Sequence, residues 1–141
     1  LQNYKLKIYN LKFYESFSEA DTRKKLIPTL LRNYKKNIKT KIFSKELELN
    51  IIHVNDIIKA IYIILNNEFK SGSYCLKQNK NIKISKLINK INKILEKKIK
   101  IEYMNKKILK LKKSKIKVLI KWRPDILIEK KIFEKFHYEN N

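Results

Sequence analysis

Apolar positions recur along this chain with a period of two in short stretches and of three to four in longer ones, and the switching between them predicts a mixed architecture. Leu6, Ile8, Leu11 and Phe13, with Tyr9 and Tyr14 between them, put apolar or aromatic groups on both alternating faces, so Leu6 to Tyr14 is expected to be a buried strand. A Ser-, Glu- and Asp-rich loop follows. Pro28 then suits the first turn of a helix, where no intrahelical bond needs its missing N–H, and Thr29 to Tyr34 continues that helix. Ile51, Ile52 and Val54 predict a short strand. After it, Ile57, Ile58, Ile61, Ile64 and Leu65 recur at helical spacing behind a cap at Asn55 or Asp56, in what should be the most apolar and most buried element.

Ser71-Gly72-Ser73 reads as a turn and Tyr74-Cys75-Leu76 as the strand after it. Ser85 is expected to cap a helix whose Leu87, Ile88, Ile91, Ile94 and Leu95 form one stripe, with Lys86, Asn89, Lys90 and Lys93 facing water. Ile99 to Met104 reads as a strand. Ile116, Leu119 and Ile120 predict a further helix, stopped at Trp122-Arg123-Pro124 because a proline disfavours helix at the residue before it. Ile128, Ile132, Phe133 and Phe136 predict a last one. Strands separated by helices, with no repeat and no Pro/Gly/Ser-rich linker, give one α/β unit over residues 1–141.

Composition sharpens this picture. With 43% hydrophobic residues the chain can build a real core, and it is too aliphatic for wholesale disorder. Its longest apolar run, Ala60 to Leu65, is far short of the roughly 20 residues of a bilayer helix, and no signal peptide is visible. A soluble protein of the cytoplasm with no membrane partner is expected. One cysteine, Cys75, agrees with a reducing compartment. The absence of an initiator Met at Leu1 hints at a fragment.

The net charge of +22 points first to polyanions, and a basic nucleic-acid-binding module is the alternative reading. Two features turn the expectation away from nucleic acid. Arg numbers only 3 among 35 basic residues, although Arg is the side chain suited to bidentate phosphate recognition. Lys, Ile and Asn, which share A/T-rich codons, make up half of the chain, so genome bias explains the lysines as well as selection for polyanions does, and the tract from Lys106 to Lys121 reads as a solvated face. His53, on its apolar strand, reads as a satisfied structural histidine, Asp56 as a helix cap, Cys75 as an inert thiol and Trp122 as a core filler beneath the last helix. One Cys and two distant His make no metal site. Tyr103 and Lys107 match Tyr-x-x-x-Lys, as chance allows in a chain so rich in Lys.

Four ordered stretches resemble the C-terminal half of the nucleotide-sugar epimerases and dehydratases, the extended short-chain dehydrogenase/reductases. LKFYESFSEADTRKKLIPTLL (Leu11 to Leu31) resembles the strand, loop and helix after their catalytic helix, and ADTRKKLIP within it is similar to the CDP-abequose synthase group. NIIHVNDIIKAIYIIL (Asn50 to Leu65) resembles their Arg-Asp-Phe-Ile-His-Val-Asp-Asp-Ile pattern. SGSYCLKQNKNIKISKLINKINKIL (Ser71 to Leu95) is like their Gly-x-Tyr-Asn-Ile-Gly-Ser-Gly strand and turn with the helix that follows. IKWRPDILIEKKIFEKFHYEN (Ile120 to Asn140) is similar to their closing Leu-Gly-Trp-x-Pro segment.

The resemblance implies the C-terminal portion of an extended Rossmann-type reductase: part of a parallel sheet plus a small substrate-binding lobe. It implies NAD or NADP and a nucleoside-diphosphate sugar for the complete protein, acting in surface polysaccharide synthesis, with a homodimer of that enzyme among the expected assemblies. The N-terminal dinucleotide-binding half is a missing partner here. This segment alone, lacking the Gly-rich turn and the catalytic Tyr–Lys pair, is expected to hold no catalytic and no cofactor-binding residue, and to be inactive. Substrate recognition falls to Glu15, Phe17, Arg23, Lys24, Leu26, Ile27 and Pro28, with Arg23 and Lys24 on the diphosphate. Glu15 stands where the family has an Asn, Phe17-Ser18-Glu19 where it has Tyr-Gly-Pro, Leu49 where it has a phosphate-gripping Arg, and Lys77-Gln78-Asn79 where it has Gly-Ser-Gly.

Overall fold

The structure, a computed structural model, describes residues 6–106, 116–119 and 121–138. The aromatic-rich N-terminal stretch forms two successive strands, β1 (Tyr9–Lys12) and β2 (Glu15–Phe17), rather than one. Each takes a parallel partner from later in the chain. β1 pairs with β6 (Gly72–Cys75), Leu11 opposite Tyr74, and β2 pairs with β5 (Ile51–His53), Phe17 opposite His53. Parallel partners need a long crossover, and here it holds α1 (Leu26–Lys35), β3 (Thr40–Ile42) and β4 (Glu48–Leu49) before β5, and α2 (Val54–Leu65) between β5 and β6. β7 (Ile82–Lys83) pairs antiparallel with β4, and α3 (Ile84–Asn92) follows it at once. β8 (Ile101–Tyr103) runs parallel to β3, and α4 (Ile128–Tyr138) closes the chain.

β5 divides two cores. Its Ile51 joins Phe17, Ile27, Leu30, Ile84, Leu87, Ile91 and Ile132 in one cluster, while the next residue, Ile52, joins Ile57, Ala60, Ile64, Tyr74, Leu76, Leu119 and Trp122 in the other. Alternation along a strand sends neighbours to opposite faces, so three residues build a wall with a core on each side. Each Ile, Leu or Phe side chain among them, when fully buried, contributes about 1.5–3 kcal/mol.

Several expectations need correction. Leu6 to Tyr14 is not buried on both faces: Tyr9 and Leu11 pack inward, whereas Leu6 is 81% and Ile8 64% exposed, and Phe13 and Tyr14 are exposed too. β1 has β6 on one side and no partner strand on the other among the described residues. α2 likewise buries only one stripe, Ile57, Ala60 and Ile64, leaving Ile58, Ile61, Tyr62 and Leu65 in water.

Helix starts also shift. His53, not Asn55 or Asp56, caps α2, and Lys83 precedes α3 with Ser85 inside it. The second shift follows from Ile84, which is buried and whose N–H donates to the Leu47 carbonyl at 2.8 Å, drawing the helix start towards β4. α1 begins two residues before Pro28, which still lies in its first turn. Residues 116–119 are not helical. The Cys75 N–H donates to the Lys117 carbonyl and the Leu119 N–H to the Cys75 carbonyl, so this segment lies extended along β6. An open sheet edge outweighs the weak helical spacing there; Ile120 lies outside the described residues. Trp122 fills the core beneath α2 instead of α4. No helix among the described residues is long and apolar enough to cross a membrane.

Candidate functional site

The turn from β2 into α1 carries most of the sequence-predicted site residues. Phe17 ends β2, buried, and opens one side of a cavity of about 250 Å³ whose other walls are the 18–22 loop, α1 and α4. Of the seven expected residues, the structure places Phe17 and Pro28 on this cavity, with Glu19, Asp21, Leu31, Arg32, Lys35 and Lys135 around them. Glu15, Arg23, Lys24, Leu26 and Ile27 do not line it. Ile27 is core, and Glu15 is half-buried on β2, where burial pushes its carboxyl up while Lys25 opposes the shift.

The three cations before α1 have different engagements. Arg23 grips Asp21 through two nitrogens at 2.8 Å each, and its N–H donates to the same carboxylate. That pairing, against a little burial, holds the Asp21 carboxyl down at about 2. Lys25 donates to the Ser16 hydroxyl at 3.2 Å. Lys24 is exposed and forms no ion pair among the described residues.

His53 organises the site from below. Its Nδ1 accepts from the Asn55 N–H at 3.1 Å, which caps α2 and leaves the proton on Nε2, 2.8 Å from the Glu19 carboxylate. The ring meets Phe17 edge-on at 5.8 Å. Burial works against the charged form of Glu19, but the His53 hydrogen bond and Lys131, 3.6 Å away, outweigh it and hold its pKa below the usual range. Lys135 donates to the Glu19 backbone carbonyl. His53 is therefore the satisfied structural histidine expected, yet it ties β5, α2, the 18–22 loop and α4 together, 34 residues from Glu19 in sequence.

Asp56, expected as a cap, anchors a distant segment instead. It is fully buried in the first turn of α2, and its carboxylate accepts from the Asp125 and Ile126 N–H groups at 3.4 and 3.2 Å, while the Trp122 indole donates to its carbonyl at 2.8 Å. It anchors the Trp-Arg-Pro segment over α2. Asn50, just before β5, is equally structural: its amide bridges the Gln78 backbone and Asn81.

Burial pushes the Tyr103 hydroxyl up, the wrong direction for a proton-transferring tyrosine, and Lys107 lies outside the described residues, as do residues 107–115 of the lysine tract. No group of three or more His, Cys, Asp or Glu side chains is placed to hold a metal among the described residues. A dinucleotide pyrophosphate fits the residues present poorly. It needs glycines at a strand-to-helix turn, whereas the β5–α2 turn is His53-Val54 and the β7–α3 turn Lys83-Ile84; the only glycine, Gly72, opens β6.

No protein-family model and no curated protein matches the sequence. Solved structures do. A UDP-N-acetylglucosamine 4-epimerase from Methanobrevibacter ruminantium M1, in complex with UDP-N-acetylmuramic acid, superposes with a TM-score of 0.75 over 99% of this chain and 48% of its own, at 19% identity. A UDP-glucuronic acid 4-epimerase from Bacillus cereus, in complex with a UDP-sugar derivative and NAD, gives 0.77 over 99% and 47% at 12% identity. A dTDP-glucose 4,6-dehydratase from Bacillus anthracis, in complex with NAD, gives 0.68 over 94% and 44% at 20% identity. The fold is that of one half of these epimerases and dehydratases. The chain spans about half the length of these enzymes and matches their Rossmann-like architecture, with its strands in parallel pairs.

Proposed function

We propose that this chain is the substrate-side half of an NAD(P)-dependent nucleotide-sugar epimerase, dehydratase or reductase. The complete protein acts in the cytoplasm on a nucleoside-diphosphate sugar destined for surface polysaccharide, with the CDP-abequose synthase group as the nearest resemblance in its ADTRKKLIP stretch. One observation carries the reading: nearly the whole chain superposes on about half of such enzymes, and α2 leaves Ile58, Ile61, Tyr62 and Leu65 in water beside a β1 edge that no described strand pairs, where a further strand and helix would continue the sheet. In this reading the cofactor belongs to an N-terminal half outside these residues, and this segment alone is inactive. Glu15, Phe17, Arg23, Lys24, Leu26 and Pro28 form the substrate wall, with Ile27 packed in the core beneath it. Lys24 is the cation best disposed towards a diphosphate, since Arg23 must first release Asp21.

Calorimetric titration tests it. UDP- or dTDP-sugars should bind the chain weakly and lose roughly tenfold or more in affinity on Lys24→Ala, as a lost charge-assisted contact implies, and NAD and NADPH should not bind. Micromolar NADPH binding to the chain alone would overturn the division of labour. Tight, salt-dependent binding of unrelated DNA would replace the whole reading with a polyanion module.

A further inference from the structure

The cavity behind Phe17 has a feature that the nucleotide-sugar reading does not use. Its floor is apolar, formed by Phe17, Pro28 and Leu31, all buried, and its rim carries Arg32, Lys35 and Lys135. Two carboxylates also border it, and both are engaged elsewhere: Asp21 by the Arg23 fork, Glu19 by His53 and Lys131. Arg32 is held differently. Its Nη2 donates only to main-chain carbonyls, Thr22 at 3.0 Å and Arg23 at 3.5 Å, and no carboxylate lies within ion-pair distance of it among the described residues. Those carbonyls fix the guanidinium without neutralising it. A planar fork, already positioned and still charged, is the donor set that oxyanions select.

We infer that this cavity is a subsite for a phosphate monoester carried on a small apolar group, with Arg32 as its anchor and the Phe17–Leu31 floor receiving the apolar part. Its cations separate it from the proposed substrate wall, and its volume of about 250 Å³, below the roughly 300–1,000 Å³ of a drug-sized site, suits one ring and its phosphate. It shares Phe17 and Pro28 with that wall but relies on other cations, and it stands or falls apart from the nucleotide-sugar reading.

The probe is phenyl phosphate, titrated into the 141-residue chain by calorimetry and followed by ligand-observed saturation-transfer NMR, with inorganic phosphate and phenol as the two half-probes. Phenyl phosphate should bind at least tenfold more tightly than either half, with saturation passing to its ring protons. Arg32→Gln should weaken it tenfold or more, and Arg123→Gln, an exposed arginine away from the cavity, should leave it unchanged. Equal affinity for phenyl phosphate and inorganic phosphate, or equal losses in the two arginine variants, would overturn the proposal in favour of diffuse attraction to a chain of +22. Because Arg32 also braces the 22–23 carbonyls, Leu31→Asn supplies a second reading: it should abolish the advantage of phenyl phosphate over inorganic phosphate while leaving inorganic phosphate binding intact, and an undiminished advantage would refute the site.

Discussion

The two cores on either side of β5 are built to different degrees of closure. The one around Phe17, Leu30, Ile84 and Ile132 is covered by α1, α3 and α4, and the apolar side chains exposed near it include Ile38 and, together at the end of the β3–β8 pair, Phe43 and Met104. The one beneath α2 is covered on a single side. Its helix turns an apolar face to water, Ile58, Ile61, Tyr62 and Leu65, and Leu6 and Ile8 are exposed just before β1, whose own outward residues are Asn10 and Lys12. Single exposed hydrophobes are normal, whereas a contiguous patch marks an interface. The contrast teaches that one side of this molecule is finished as a folding unit and the other is finished only by something laid against it.

Truncation should separate the two most sharply. Ile84→Ala and Ile132→Ala empty fully buried sites of the closed core and should each cost about 2–5 kcal/mol in urea unfolding, whereas Ile58→Ala on the open face should stay within about 0.5 kcal/mol. Comparable losses at Ile58 would mean that its face is already covered in solution. His53 stands at the seam, ring against Phe17 and Nδ1 on the α2 cap. His53→Ala removes a hydrogen bond to a carboxylate and a helix cap together, so about 2–3 kcal/mol is expected. A loss confined to α2 in hydrogen exchange, with the 18–22 loop untouched, would show that the Glu19 bond contributes nothing.

The open face also predicts behaviour. An unpaired strand edge is a template for association, and α2 adds an exposed apolar face, so the isolated chain should self-associate despite its charge. Ile58→Lys with Leu65→Lys should shift sedimentation velocity towards monomer and leave the urea midpoint nearly unchanged. An unaltered sedimentation profile would place the sticky surface elsewhere.

Much of this was legible in the sequence, and the boundary is physical. The 3.6-residue stripes announced α2, α3 and α4, and the ordered family-like stretches announced the half-domain. Local spacing could say that α2 is apolar but not which neighbours exist to cover it, so burial of Ile58 and Leu65 was read where exposure is found. The Val118 segment carries a weak helical pattern, and only the distant edge of β6 decides for extended backbone. The Glu19–His53 and Asp56–Trp122 ties join residues 34 and 66 apart, a separation at which no motif spacing operates.

The smallest expected effect is also the one that sets the two regions in opposition. Glu19 and Asp21, on the closed side, have carboxyls held below their ordinary range, Asp21 at about 2. A depressed folded pKa means that the unfolded chain binds the proton more readily, so this stabilisation is complete above about pH 4 and fades as pH falls through the folded values. Asp56, on the open side, is pushed the other way by burial, with its neighbour Asp125 adding to the shift and two N–H bonds opposing it. Its folded form holds the proton more tightly, so its contribution declines as pH rises from the ordinary carboxylate value through the raised one. Lowering the pH from 6 towards 3 should therefore loosen the 18–22 loop and α4, while at the Asp125–Ile126 anchor the gain from protonating Asp56 offsets the loss at Asp125, whose carboxyl Lys59 holds below its ordinary range. Amide exchange read at the two places, corrected for the intrinsic pH dependence, should show a steeper acid loss in the loop than at the anchor. Arg23→Gln should flatten the first at its acid end, and Asp56→Asn, which keeps an acceptor for the two N–H groups but cannot ionise, should remove the offset and steepen the second. Parallel slopes at both places would show that the two cores open as one unit and that β5 does not separate them.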